Sequence, residues 1–351
     1  MEKLGHSPKH GFALLLTMSI LMVLSIALIQ IFENRSLEVA QLDNSTQQFK
    51  AESVARSVFR VLLGAIHERG LYQVVSANRQ YQKFGFSTDV ADLGVLTDLL
   101  IQPVDFRFEL NQKFKGDASD RETVFKNMLI LCQKENESQD TGETYFELND
   151  RDVYGIVSAI NDWRDDDSDP YPDYGEGIEF YGSVEYPFEV KNSPFDFLSE
   201  IKLIPGINQL KLSDFIIKKY FRVVGNGRIP DEFININLGL EGEIVQFLNR
   251  YDGVSKYETA VANALEIEEI ILRNPGNQTD PYFKNTSDFF KALEQEGVIL
   301  EEEKKLFKVQ SKYVEIKYII LVDQYQLGIY SLIELNNDGK NGIIIHTFSI
   351  N

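Results

Sequence analysis

The sequence predicts an α+β fold in which one long N-terminal helix packs on an antiparallel sheet and a large, mostly α-helical domain is inserted. Apolar residues recur at helical spacing from residue 12 to about residue 69, and helical patterns dominate from about residue 122 to residue 273. Dense β-branched and aromatic runs fill residues 307–350, as in strands. This order of elements is typical of a helical domain inserted into an α+β domain.

The composition excludes several classes of protein. With 43% apolar and 25% charged residues, the chain of 351 residues is neither fibrous nor globally disordered. Its 54 acidic residues outnumber 35 basic ones, and the net charge of −19 repels nucleic acid and anionic lipid headgroups. A single cysteine, Cys132, excludes an internal disulfide.

An uncharged apolar run, residues 12–32, predicts a single transmembrane helix. At 1.5 Å per residue, a helix of this length spans about 30 Å, the thickness of one bilayer core. Lys3 and Lys9 precede the run, so the positive-inside rule keeps the leader in the cytoplasm and exports the C-terminal bulk.

The junction at Gly11 and Phe12 suggests how this leader is processed. An ordinary signal peptide has a shorter apolar core and a small-x-small cleavage site, which the residues Glu33, Asn34 and Arg35 do not provide. A short basic leader that ends in glycine before an apolar helix resembles a class III prepilin leader. That resemblance implies that prepilin peptidase cuts between Gly11 and Phe12 and that the helix is retained. A plain signal anchor remains the alternative.

The helical pattern continues beyond the apolar run to about Arg69. Val54, Val58, Leu62 and Ile66 recur every four residues and form one apolar face. We therefore expect one continuous helix that begins in the membrane and ends packed on a domain.

The remaining elements follow from local patterns. Alternation over Val104–Leu110 predicts the first strand, Asp152–Trp163 has helical spacing, and Asp338-Gly339 predicts a hairpin turn. Five further helices are predicted at Phe195–Leu203, Leu210–Tyr220, Gly242–Leu248, Thr259–Arg273 and Ser287–Leu293. The closing strands are predicted at Phe307–Val322, Tyr325–Leu335 and Gly342–Ile350.

These elements divide the chain into five segments. They are a leader (1–11), a transmembrane helix (12–32), a stem helix with the first strand (33–113), an inserted helical domain (114–303) and C-terminal strands (304–351).

The segment NDWRDDDSDPYPDYGEGIE, residues 161–179, predicts a cation site. Its acids follow the spacing of a calcium loop, but Pro170 stands where an EF-hand needs glycine, so the segment is not an EF-hand. A solvated acidic loop is the alternative, although mutual repulsion of the carboxylates favours a cation. The candidate calcium ligands are Asp165, Asp167, Asp169, Asp173, Glu176 and Glu179.

A second local pattern lies at residues 193–220. Two helical stretches flank Leu203-Ile204-Pro205-Gly206-Ile207, which resembles a helix-hairpin-helix unit. Some such units bind DNA, but the acidity and predicted export of the chain favour a structural hairpin or a partner surface.

Several motifs in order resemble the GspK family, the large minor pseudopilins of type II secretion. They are Asp162-Trp163-x-Asp165-x-Asp167, Gly177-x-Glu179-x-Tyr181, Tyr186-Pro187, residues 191–195 (KNSPF), Ile204-Pro205-Gly206-Ile207 and residues 233–237 (FININ). The usual Thr-Ala after the last motif is replaced by Leu238-Gly239, and residues 72–145 match poorly.

The resemblance implies a pilin-like fold and a non-enzymatic role. The chain would start and cap a periplasmic pseudopilus that exports folded proteins, together with GspI-like and GspJ-like minor pseudopilins, from a single span in the bacterial inner membrane. Most pilins carry glutamate at the fifth mature position, whereas Leu16 stands there, as in GspK-like proteins. A subunit without that glutamate can end a filament.

Two other functions remain open. One is a minor pilin of a type IV pilus or DNA-uptake system, and the other is a plain single-span anchored periplasmic binding protein. An enzyme is disfavoured, because the sequence has no G-x-S-x-G, H-E-x-x-H or Gly-rich phosphate loop.

Overall fold

The computed structural model describes most of the chain and confirms a mixed helix and sheet architecture. The described residues are 9–84, 88–89, 95–112, 118–139, 150–164, 166, 190–224, 232–273, 283–323, 325–336 and 342–350.

Helix α1 runs without interruption over Lys9–Arg69, 61 residues, as the apolar spacing predicts. It ends where Gly70 adopts a φ of 85° and donates its N–H to the carbonyl of Ile66 at 2.9 Å. Glycine takes this left-handed conformation at little steric cost, which makes it a common helix stop. Helix α2, Leu71–Phe84, follows at once. Among the described residues, a search for helices long and apolar enough to cross a membrane finds none.

A five-stranded antiparallel sheet packs against the second half of α1. Its strands lie in the order β1-β2-β7-β8-β9. Their bounds are Thr88–Asp89 for β1, Val95–Pro103 for β2, Tyr313–Val322 for β7, Tyr325–Leu335 for β8 and Ile343–Ile350 for β9. The bounds of β8 and β9 agree with the sequence pattern to within one residue.

The prediction of a first strand at Val104–Leu110 is wrong, because the chain already turns there. The strand that joins the sheet is β2, which pairs with β7 and has a bulge between Thr97 and Leu100. Asp98, with a φ of 51°, interrupts the alternation that would have marked this segment as a strand. Of the predicted span, only β3, Phe108–Glu109, is extended.

The inserted domain is mostly helical, as predicted. Its described elements are α3 (Ala118–Gln139), α4 (Asp150–Arg164), a 3₁₀ helix (Leu198–Leu203), α5 (Pro205–Gln209), α6 (Asp214–Tyr220), α7 (Glu243–Asn249), a second 3₁₀ helix (Ser255–Tyr257), α8 (Glu258–Ala262), α9 (Ala264–Leu272), α10 (Thr286–Gln295) and a third 3₁₀ helix (Glu302–Leu306). Two short parallel pairs complete it: β3 with β4 (Phe221–Arg222), and β5 (Ile234–Asn235) with β6 (Phe307–Lys308).

The predicted hairpin at Leu203–Ile207 is not a hairpin turn. Pro205 and Gly206 instead begin α5, as proline at a first helical position allows. A Cβ added at Gly206 would lie 2.3 Å from Cγ1 of the buried Ile156 on α4. The glycine is therefore explained by the close packing of α5 on α4.

Two large apolar cores and a small third cluster stabilise the described part of the molecule. In the first, Ala51, Ala55 and Phe59 of α1 pack against the sheet, and the Tyr318 hydroxyl donates to the Ala55 carbonyl at 2.6 Å. The second, in the helical domain, is rich in phenylalanine, with Phe108 and Phe125 at 5.2 Å between ring centroids. The helical domain therefore has a hydrophobic core of its own.

Candidate assembly site

The first half of α1 exposes large apolar side chains that the described fold does not cover. Phe32 is 72% exposed and Met22 is 67% exposed. We call residues 18–32 the exposed apolar segment. Its large exposed side chains are Met18, Leu21, Met22, Val23, Leu24, Ile26, Leu28, Ile29, Ile31 and Phe32. A helix that is apolar all round is normally covered by other protein or by lipid.

The second half of α1 is docked on the sheet. Ala51 and Ile66 are fully buried, and the Tyr325 hydroxyl donates to the carbonyl of Asn44 at 3.0 Å. Lys50 also lies 3.5 Å from Asp323 at the turn between β7 and β8. One helix therefore joins a surface available for assembly to the folded domain.

The predicted cleavage junction, Gly11 and Phe12, lies in the first turns of α1. Leu16 lies one turn further along the same helix. The side chains of these residues are outside the described part of the chain.

All six candidate calcium ligands, Asp165, Asp167, Asp169, Asp173, Glu176 and Glu179, lie outside the described residues. Their neighbour Asp166 is described and is exposed. Where the structure describes the chain, it groups no three acidic, histidine or cysteine residues in a way that could hold a metal ion.

The described residues that precede and follow the candidate calcium ligands lie close together. Ser193 donates its N–H to the carbonyl of Trp163 at 3.1 Å, and the Trp163 indole stacks on Phe195 at 6.1 Å between ring centroids. The same indole N–H donates to Glu200 at 3.3 Å, and Glu200 accepts from Lys191 at 2.9 Å. The described residues on either side of positions 165–189 are therefore held together.

We call residues 104–112 the connector. Sequence analysis missed a network of buried charges around it. The connector runs from the sheet into the helical domain. Four arginines donate to its backbone carbonyls: Arg222 to Val104 at 2.8 Å, Arg250 to Phe106 at 2.6 Å, Arg121 to Glu109 at 3.3 Å and Arg164 to Leu110 at 2.9 Å. Buried carbonyls need such partners. The turns of the connector supply some of them, since the N–H of Arg107 donates to the carbonyl of Val104 at 3.1 Å and the N–H of Gln112 to that of Glu109 at 3.3 Å, and the arginines add the rest.

The side chains of the connector are paired as well. Arg107 donates two hydrogen bonds to Glu315 of β7, at 3.1 and 2.9 Å, and both side chains are buried. Asp105 accepts from the N–H of Tyr313 at 2.9 Å, and Arg222 lies 3.4 Å from Glu109. These pairs connect the helical domain to the central strand β7.

The carboxylates in this network titrate differently from free carboxylates. Burial raises the pKa of Asp105 to about 6 and that of Glu109 to about 7, although nearby Arg222 opposes both shifts. Burial also acts to raise the pKa of Glu315, but the bidentate Arg107 and the nearby Lys317 together outweigh it, so the pKa of Glu315 is lowered. Glu315 therefore stays ionised beside its arginine.

A signal for this network was present in the sequence. Asp105, Arg107 and Glu109 alternate with apolar residues, and this alternation suggested a strand with one face in solvent. All three side chains are buried instead. Their arginine partners lie far away along the chain, so spacing alone could not identify them.

Comparison with known proteins supports the predicted family. Residues 109–214 match the family model described as type II secretion system (T2SS), protein K. No curated protein matches the chain. Among solved structures, a chain of the GspK-GspI-GspJ complex from the type 2 secretion system of enterotoxigenic Escherichia coli is similar in fold. It has 14% sequence identity and a TM-score of 0.55, over 88% of this chain and 98% of that chain.

Removal of one partner from the Arg107–Glu315 pair should destabilise the fold strongly. We expect Arg107→Met to lower the free energy of unfolding by about 3 kcal/mol, because a buried carboxylate loses its main cation. The measurement is urea unfolding of the full chain in detergent.

Two variants test the cause of that loss. The double variant Arg107→Met/Glu315→Met should recover most of the stability, because neither charge of this buried pair remains. The matched surface control is Arg273→Met, whose pair with Glu296 is half exposed, and it should cost less than about 1 kcal/mol. Equal losses in Arg107→Met and Arg273→Met would contradict the assignment.

Proposed function

We propose that the chain is a minor pseudopilin of the type II secretion system that initiates and caps the pseudopilus tip, since residues 109–214 match the protein K family model and the fold is similar to that of a chain of the GspK-GspI-GspJ complex. The exposed apolar segment is the observation that carries the proposal. It offers a helical surface on which neighbouring subunit helices can pack, whereas the second half of α1 is already occupied by the sheet.

Two further features support a position at the tip. Leu16 cannot neutralise the terminal ammonium of an adjacent subunit, so a subunit beyond this one would keep a costly charge inside the membrane. The helical domain adds bulk beside the sheet, which a terminal subunit tolerates better than one packed on all sides. The proposed partners are GspI-like and GspJ-like minor pseudopilins, since the similar solved chain comes from a complex of that kind.

The same proposal includes processing and membrane insertion. Prepilin peptidase would cut between Gly11 and Phe12, and the new N-terminus would be methylated. Residues 12–32 would then remain as a single span of the inner membrane with the C-terminal domain in the periplasm. The uncharged run in the sequence and the exposed apolar side chains of α1 support this arrangement.

Mass spectrometry of the membrane-extracted chain tests the processing. In cells that contain prepilin peptidase we expect Phe12 at the N-terminus, with a net charge one unit more negative, because Glu2, Lys3 and Lys9 are removed. Gly11→Val is the informative variant, because it should leave the leader in place. An intact Met1 in the wild type would favour a plain signal anchor.

Cysteine cross-linking and filament composition test the position at the tip. The only native thiol, Cys132, is fully buried, so an introduced cysteine would be the reactive one. Leu42→Cys, on an exposed position of α1, should cross-link to other minor pseudopilins. Lys134→Cys, exposed on α3, is the control for random collisions. Purified filaments that contain this chain throughout, in numbers like the major subunit, would contradict the capping role.

Calcium binding by the acidic loop is a separate part of the proposal. The acidic segment lies between α4 and residue 190 in the chain. A bound ion would hold its carboxylates together, and a hydrogen bond already connects the residues that flank it. Extracellular calcium modules have dissociation constants of about 10⁻⁴ to 10⁻³ M. A ligand that binds only the folded state at ten times its Kd stabilises that state by about 1.4 kcal/mol.

Thermal melting of the full chain, first with chelator and then with millimolar calcium, tests this site. We expect calcium to raise the melting temperature of the wild type and magnesium to have little effect, because magnesium demands a tighter octahedron. Asp165→Asn/Asp167→Asn should abolish the rise. Asp166→Asn, in the same loop but outside the candidate ligand set, is the matched control.

One outcome would contradict calcium binding at this segment. If the wild type melts at the same temperature in both conditions, and elemental analysis finds no tightly held calcium, the loop is only a solvated acidic surface.

A further inference from the structure

The helical domain contains an elongated groove beside β6. One cavity of about 670 Å³ adjoins a second of about 510 Å³, and Thr286 and Lys308 line both. Residues 304–308 line the first cavity and residues 308–312 line the second, so one continuous stretch of chain forms a wall of both. We call the two cavities together the basic groove.

The charge of the basic groove is opposite to that of the whole chain. Its lining includes six cationic side chains, Arg121, Lys256, Lys304, Lys305, Lys308 and Lys312, and two carboxylates, Asp120 and Glu232. The chain as a whole has a net charge of −19. A concave site of one sign concentrates ligands of the other sign, so the groove favours an anionic ligand.

Internal pairs account for the two carboxylates of the groove. Glu232 accepts a hydrogen bond from Arg121 at 3.2 Å, and Asp120 accepts one from Lys256. The exposed Lys304 and Lys305 lie instead against aromatic rings, those of Phe290 and Tyr257, at 5.5 and 5.3 Å from the ring centroids. Such contacts hold an ammonium group while leaving its charge available to a ligand.

The remaining lining suits an extended chain rather than a compact anion. Lys308 lies over the ring of Phe233 at 4.2 Å, and Tyr251, Tyr257 and Phe307 also line the first cavity. Cations therefore lie beside aromatic rings in both cavities. In the described part of the chain β6 pairs only with β5, and extended peptides can add to a sheet edge that is left unpaired.

We propose that the basic groove binds an extended acidic peptide segment of a partner protein, with aromatic or aliphatic side chains between its carboxylates. This inference goes beyond the proposed position at the tip and does not depend on it. Lys304 and Lys305 would contact the carboxylates of the peptide, while the rings of Tyr251 and Tyr257 would border its apolar side chains. Carboxylates accept charge-assisted hydrogen bonds from lysine, which are stronger than neutral ones.

Fluorescence anisotropy with the full chain in detergent tests the groove. The probe is a short labelled peptide of alternating glutamate and tyrosine, and its matched control has glutamine in place of glutamate. We expect saturable binding of the acidic peptide that weakens as salt is added, and at least about tenfold weaker binding of the glutamine peptide.

Two charge-reversal variants locate the binding site. Lys304→Glu/Lys305→Glu should weaken binding of the acidic peptide by at least about tenfold. Lys134→Glu/Lys218→Glu makes the same change in net charge at exposed lysines outside the groove lining and should change the affinity less than about twofold. Thermal melting of both variants confirms that they are folded, and Lys304→Gln/Lys305→Gln is the milder substitute if the reversal fails to fold.

Three outcomes would overturn the proposal. The first is equal binding of the acidic and glutamine peptides, and the second is equal loss in the two charge-reversal variants. The third is binding of a sulfated oligosaccharide, with the same lysine dependence, in the absence of any peptide binding, which would assign the groove to an anionic glycan.

Discussion

Four arginines that hold the connector determine how the two parts of this molecule are joined. Where the chain leaves β2, it has no regular structure over residues 104–107, yet it is buried between the sheet and the helical domain. Its carbonyls would be costly without donors, and the arginines supply them from α3, α4, β4 and the end of α7. Because those donors come from separated parts of the helical domain, the domain must be folded before the connector is satisfied.

The buried pair of Arg107 and Glu315 adds specificity to this junction. A pair of this kind gains little over apolar residues of the same shape, but a misplaced domain would leave both charges buried without each other. The sheet and the helical domain each have an apolar core, and a small apolar cluster of Val104, Val224, Tyr313 and Leu332 joins the two parts. We infer that the buried charges act with this cluster to fix the position of the helical domain on the sheet.

Sequence patterns identified the elements whose periodicity is regular. Helix α1 follows from its uncharged apolar run and from the apolar face that its second half buries on the sheet, and β8 and β9 follow from their dense β-branched and aromatic residues. Strand β2 was not identified from the sequence, since its bulge at Asp98 shifts the alternation of apolar residues. The helix predicted at Thr259–Arg273 is split at Asn263 into α8 and α9.

The candidate sites also differ in how far the sequence alone could identify them. The acidic segment and the Gly11–Phe12 junction are local in sequence, so their roles can be proposed without a fold, and both stay predictions. The basic groove could not, because Arg121, Lys256 and Lys304 come from three distant segments that only the tertiary structure brings together. Individually, each of these residues is an ordinary surface cation.

The continuity of α1 has a mechanical consequence. At 1.5 Å per residue, a helix of 61 residues is about 90 Å long, and it contains no proline at which it would bend. An axial load applied to the exposed apolar segment is therefore transmitted through backbone hydrogen bonds to the half that is docked on the sheet, without passing through a flexible loop. The packing of Ala51, Ala55 and Phe59 on the sheet resists this load. These residues precede Gly70, the first residue beyond α1 with a left-handed backbone. The helix can therefore transmit axial force as well as provide a packing surface.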